Sequence, residues 1–268
     1  MPADKKSPPR KVVITGTGRA GTTFLVRLLT ELGLDTGYTR RNWSRDYFPH
    51  CDAGLEHDLA RPDTPYIVKN PALCTTLETF LAENRFAVDH VYIPIRELDA
   101  AAASRIRIGG TDGSVPGGLL KTSDPSGQKA VLAEMFHRLI FTLVAREIPH
   151  TFLLFPRFAC DPDYAYAKLN FLLREIQPDD FRQAFARVAE PGLIHDFSRS
   201  ENRPTSVGAE PYFQRQRKKR RARHAVRWAL GGAAACLMGL YPSWHKLHLW
   251  RFPAAVSAAV APVRSVLR

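Results

Sequence analysis

One stretch near the N-terminus constrains this chain more than any other. Val12-Val13-Ile14 is a β-branched run of the kind that forms a buried strand. Glycines follow at positions 16, 18 and 21. Phe24, Leu25, Leu28, Leu29 and Leu32 then recur at helical spacing, and Gly33 stands where a helix end favours a left-handed residue. Strand, glycine loop and helix make a cradle for an anion. The loop amides and the helix N-terminus direct unpaired N–H groups and a partial positive charge at one point.

The rest of the chain continues the alternation. Strands are expected at Lys11–Thr17, Pro65–Val68, Val88–Ile95 and Thr151–Phe155. Helices are expected at Gly21–Leu32, from near Pro71, and at Leu98–Ile108, Gln128–Ile148, Tyr164–Ile176 and Asp179–Ala189. In the long helix Val131, Leu132, Met135, Leu139, Ile140 and Val144 mark the buried side. The order predicts an α/β fold, a mostly parallel sheet with helices on both faces. In such folds a ligand binds at the C-terminal edge of the strands, where Arg19, Lys69 and Arg96 fall. Asp35–Asp63 reads as an irregular polar segment, and Gly109–Gly127 as a long glycine-rich loop.

Charge is divided unevenly. The 38 Lys and Arg residues include twelve after Phe213, where there is no acidic residue, so 26 basic residues face 26 acidic ones in the preceding part. The chain divides into a disordered N-terminus (1–10), an α/β domain (11–197), a linker (198–213) and a basic, apolar, helical tail (214–268). Met1–Arg10 lacks an apolar signal region. The four cysteines have no metal-ligand spacing and read as reduced thiols, so a cytoplasmic chain is expected.

The glycine loop is similar to the P-loop of nucleotide triphosphatases, with one difference. Thr22 stands where the lysine belongs, and the cation has moved back to Arg19. Gly18-Arg19-Ala20-Gly21-Thr22-Thr23-Phe24 resembles instead the 5′-phosphosulfate loop of sulfotransferases that use 3′-phosphoadenosine 5′-phosphosulfate (PAPS). Arg96, at the end of Tyr92-Ile93-Pro94-Ile95, and Ser104, eight residues on, resemble that family's 3′-phosphate element. Lys69-Asn70-Pro71 is similar to the Lys-Ser/Thr-Pro of its carbohydrate-specific members. The glutamate they often carry before the lysine is replaced by Val68.

The resemblance implies a P-loop-type fold and transfer of a sulfuryl group from PAPS to a hydroxyl or amine, with a carbohydrate or glycolipid acceptor. Gly18, Arg19, Ala20, Gly21, Thr22, Thr23, Phe24, Arg96 and Ser104 would bind the donor. Arg19 and Lys69 would act at the transferring group. No metal is required in principle. By residue type Glu56, His50 and His57 are the available general bases. A nucleotide kinase-like enzyme, or a non-catalytic anion-binding protein on the same fold, are the alternatives. The tail is expected to rest on an anionic membrane surface without crossing it; packed helices and nonspecific nucleic-acid binding compete.

Overall fold

The computed structural model describes residues 7–59, 61, 63–110 and 115–194. The expected linker and basic tail, and residues 1–6 of the N-terminal segment, lie outside the described residues; Arg10, expected in that disordered segment, opens the first strand.

The chain begins with β1 (Arg10–Ile14) and α1 (Thr22–Glu31), followed by a two-stranded antiparallel ribbon, β2 (Tyr47–Phe48) and β3 (Ala53–Gly54). Then come β4 (Ile67–Lys69), α2 (Leu73–Ala82), β5 (Ala87–Ile95), α3 (Leu98–Ile108) and α4 (Gln128–Ala145). After β6 (His150–Leu154) come α5 (Arg157–Cys160), α6 (Pro162–Lys168) and α7 (Pro178–Val188). The main sheet has the order β4-β1-β5-β6, and all its neighbouring strands run parallel.

Alternation along the strands builds a core on each face of the sheet. Val12, Ile14 and Tyr92 join Leu25, Leu28 and Leu29 of α1 and Phe181 and Phe185 of α7 on one face. Val13, Val91 and Ile93 join Leu77 of α2, Ala101 of α3 and Leu139 of α4 on the other. The expected α/β architecture, with helices on both faces, is therefore present.

Four local expectations need correction. The segment 35–63 is not wholly irregular, because it contains the β2–β3 ribbon. β1 ends at Ile14 and not at Thr17, since the glycine loop already begins at Thr15. The expected helix Tyr164–Ile176 stops at Lys168; beyond it, bonds such as Leu172 N–H to Leu169 O and Ile176 N–H to Leu173 O span three residues, a series of tight turns. Val144 is 66% exposed, not buried. It lies nine residues after buried Met135, roughly two and a half turns at 3.6 residues each, on the opposite side of α4.

Among the described residues no helix is long and apolar enough to cross a membrane. Cys51, Cys74 and Cys160 are free thiols.

Candidate functional site

The C-terminal ends of β1, β4 and β5 meet at a cavity of about 340 Å³. Its floor is the glycine loop. Thr15 N–H still pairs with Tyr92 O at 3.1 Å, and the chain then turns through left-handed conformations at Gly18, Arg19 and Gly21, with φ of 70°, 57° and 79°. At Arg19, a residue with a Cβ, that conformation costs roughly 1–2 kcal/mol. Gly21 caps α1, and a Cβ there would lie 2.9 Å from ring atoms of both Phe155 and Phe158. Thr22 and Thr23 open the helix, so their N–H groups have no acceptor within it.

Most of the sequence-selected residues gather here. Gly18, Arg19, Gly21, Thr22, Thr23 and Phe24 line the cavity, as do Glu56, Lys69 and Arg96. Arg96, just beyond β5, donates from Nη1 to the Arg19 carbonyl at 3.2 Å and lies 5.0 Å over the Phe155 ring. Four selected residues are placed elsewhere, His57 among them. Ala20 is buried beneath the loop. Ser104 is 0% exposed and does not line the cavity; its Oγ accepts from Arg19 Nε at 3.0 Å. His50 sits exposed in the turn between β2 and β3, away from the cavity lining.

Arg19 is thus directed from behind. Besides Ser104, the Cys51 carbonyl accepts from its Nη1. Burial lowers the Arg19 pKa, and the charge of Arg107 adds to this, while Cys51 and Asp52 oppose it. Gly117, with φ of 75°, lets the chain pass close, since a Cβ there would stand 3.0 Å from Arg19 Nη1.

Lys69 is 1% exposed, yet its ammonium is fully bonded. It donates to Gly54 O at 2.6 Å, to Glu56 Oε1 at 2.6 Å and to Thr23 Oγ1 at 3.3 Å. The three partners are enough to take all three N–H donors of an ammonium. Burial pushes its pKa down and Glu56 opposes that shift. The Glu56 side chain remains 38% exposed and faces the cavity. Although Val68 stands in place of a glutamate before Lys69, a carboxylate reaches the lysine from the segment that follows the ribbon.

His57 is committed to holding that segment. Its Nδ1 accepts from Lys69 N–H and its Nε2 meets Thr36 O, both at 2.9 Å. A ring accepting at Nδ1 carries its proton on Nε2, so the imidazole is neutral and both nitrogens are engaged. His57 N–H also bonds Lys69 O at 2.9 Å, and Asn70 Nδ2 bonds His57 O at 2.9 Å. Burial lowers the pKa of His57. It therefore serves as a clamp between the loop and β4 and does not offer a nitrogen to a substrate.

Two further features line the cavity beyond the selected site residues. Arg105, in the last turn of α3, is 4% exposed and lines the cavity. Its position beside Ser104 was visible, but whether it faced solvent or the loop was not. The second is a wall built by Tyr47, Asp52, Arg27 and Glu190. Tyr47 Oη donates to Asp52 Oδ1 at 2.9 Å, Arg27 Nη1 bonds Glu190 Oε1 at 2.6 Å, and the Arg27 guanidinium lies 4.3 Å over Trp43. Aromatic residues followed by charges in the polar segment were the available signal.

Comparison with models of known protein families, with curated proteins and with solved structures finds no match to this chain. Among the described residues no group of three or more His, Cys, Asp or Glu side chains could hold a metal ion. The geometry is one that can receive an anion. A helix N-terminus and a glycine loop open on a cavity that also receives Arg19, Lys69, Arg96 and Arg105.

Proposed function

We propose that this chain is a PAPS-dependent sulfotransferase on a P-loop-type fold. The observation that carries the reading is the meeting, in one cavity, of the glycine loop, Arg96 and the Lys69–Glu56 pair. The loop and the start of α1 would hold the 5′-phosphosulfate, and Arg96 would offer its planar fork to the 3′-phosphate. Ser104 would act on the donor through Arg19, whose Nε it holds.

In the reaction an acceptor hydroxyl or amine attacks sulfur, and the bond from sulfur to the bridging oxygen of the phosphate breaks. Negative charge grows on that oxygen as it leaves. Lys69 and Arg19 are the cations set to stabilise it, already bonded in place before reaction. The acceptor gives up its proton as its bond to sulfur forms, and Glu56 is the cavity-lining carboxylate suited to receive it. His50 does not line the cavity, and His57 is engaged at both nitrogens.

The absence of a lysine after Gly21 weighs against a kinase-like use of the same loop. The discriminating experiment compares ligands on the full chain. Adenosine 3′,5′-bisphosphate should raise the melting temperature well beyond the effect of ATP at equal concentration, and labelled PAPS should be turned over with an acceptor such as a carbohydrate. Equal stabilisation by ATP would overturn the sulfotransferase reading in favour of a nucleotide enzyme. Donor binding without turnover across an acceptor screen would favour a non-catalytic binding protein.

For the basic tail we propose a peripheral seat on an anionic membrane, from its twelve basic residues, its lack of acids and its three tryptophans, Trp228, Trp244 and Trp250. Full-length protein should sediment with anionic vesicles and release at high salt, and truncation after Phe213 should abolish binding.

A further inference from the structure

Arg105 has no part in the donor contacts or the proton transfer described above, yet it is buried, while Arg19, Arg27 and Arg96, which also line the cavity, are partly exposed. Its Nε and Nη2 both donate to Thr17 O, at 3.2 and 2.6 Å, and its Nη1 donates to Gly118 O at 2.6 Å. Thr17 belongs to the glycine loop and Gly118 to the cavity wall, so one side chain spans both. The fit is tight. A Cβ on Gly18 would lie 2.4 Å from Arg105 Nη2, and a Cβ on Gly118 would lie 2.1 Å from Gly109 O.

The hydrogen-bonding capacity of this guanidinium is well used, but its charge is not matched by its bonded partners. Both acceptors are neutral carbonyls. Burial, and then the charge of Arg19, lower its pKa to about 10. A desolvated cation whose contacts are dipoles is costly to the unliganded fold. An anion entering the cavity that Arg105 lines would supply the missing opposite charge.

We propose, resting on the donor-site reading of the same cavity, that Arg105 is a positioning residue whose buried charge is balanced by the bound anion. It holds the glycine loop and the wall at Gly118 in register, and it couples the stability of the fold to occupancy by a phosphate-type ligand. The unliganded protein tolerates this charge; the liganded protein depends on it.

Thermal unfolding of the full chain tests this, with wild type and Arg105→Met each measured alone, with inorganic pyrophosphate and with adenosine 3′,5′-bisphosphate. A merely structural arginine predicts that Arg105→Met melts lower and keeps the full ligand-induced shift. The proposal predicts that Arg105→Met, whatever its melting temperature without ligand, loses at least half of the shift, with Arg105→Lys recovering part of it. An undiminished shift overturns the proposal. Should Arg105→Met fail to fold, hydrogen exchange on the wild type decides. Pyrophosphate should then protect the amides of Thr17–Gly18 and of Val115–Gly118 together, and protection of one segment without the other overturns the coupling. Stabilisation of wild type by pyrophosphate but not by adenosine 3′,5′-bisphosphate would sink the sulfotransferase reading and leave Arg105 to be judged on the pyrophosphate arm.

Discussion

Lys69 Nζ stands 2.6 Å from Glu56 Oε1, across a separation of thirteen residues. The pair puts a buried ammonium beside a carboxylate that reaches the cavity. Glu56→Gln keeps the shape and removes the proton acceptor. It should lower kcat by roughly 10²–10⁴ with donor affinity little changed. Steady-state kinetics with a titrated donor checks this; a kcat near wild type would exclude Glu56 as the base.

Arg19, Arg96 and Ser104 should fail in different ways. Under the proposed function Arg19→Ala would remove a contact to the reacting group, and turnover should drop by roughly 10²–10³. Arg96→Ala acts away from sulfur, so donor KM should rise more than kcat falls. Ser104→Ala removes one hydrogen bond to the charged Arg19, at about 1.5–3 kcal/mol, so kcat/KM should fall by roughly ten- to a hundredfold. An Arg96→Ala enzyme with wild-type donor KM would displace the 3′-phosphate from that residue.

His57 gives a pH-dependent stability. Burial depresses its pKa in the folded chain below the ordinary 6.5. The unfolded chain therefore binds more protons as pH falls below about 6.5, and stability falls with it, by at most about 1.4 kcal/mol per pH unit from this group. Above that pH the contribution is fully present. Denaturant unfolding from pH 7.5 to pH 5 should show a shallower slope in His57→Gln than in wild type. That variant should also be less stable at neutral pH by about 1–3 kcal/mol, having lost the clamp. Parallel pH curves for the two proteins would refute the assignment.

Gly54 should be intolerant of substitution. A Cβ there would fall 2.0 Å from the Asp46 carbonyl oxygen, at a φ of 121°. Gly54→Ala should destabilise the chain by about 1–3 kcal/mol and lower kcat as well, because the Gly54 carbonyl and Glu56 both hold Lys69. Calorimetry and single-turnover assays check both effects.

The parts of this fold that repeat with a period were legible before the structure. The glycine loop announced β1 and α1, and α3 begins and ends where its sequence suggested, at Leu98 and Ile108. Tyr47–Phe48 and Ala53–Gly54 are too short to carry a period, so the ribbon was invisible. Leu169, Leu172 and Leu173 satisfy helical spacing equally well in the tight turns that the chain adopts. The site divides in the same way. Arg19, Lys69 and Arg96 were found because each stands at or beyond the C-terminal end of a strand. The approach of Glu56 to Lys69 and of Arg105 to Thr17 depends on how distant segments fold back, which no local spacing encodes.

The His57 clamp has a consequence for how this molecule meets its own copies. β4 is a margin of the sheet, and a bare margin offers its backbone to any passing strand. Here the outward groups are already engaged: Ile67 N–H by Asp35 O at 2.9 Å, Lys69 O by His57 N–H, and Lys69 N–H by the imidazole. A side chain and two loop segments stand where a further strand would add. The same ring that fixes Glu56 beside Lys69 thereby guards this margin against aggregation, and acid that protonates it would expose backbone to self-association as well as loosen the cavity.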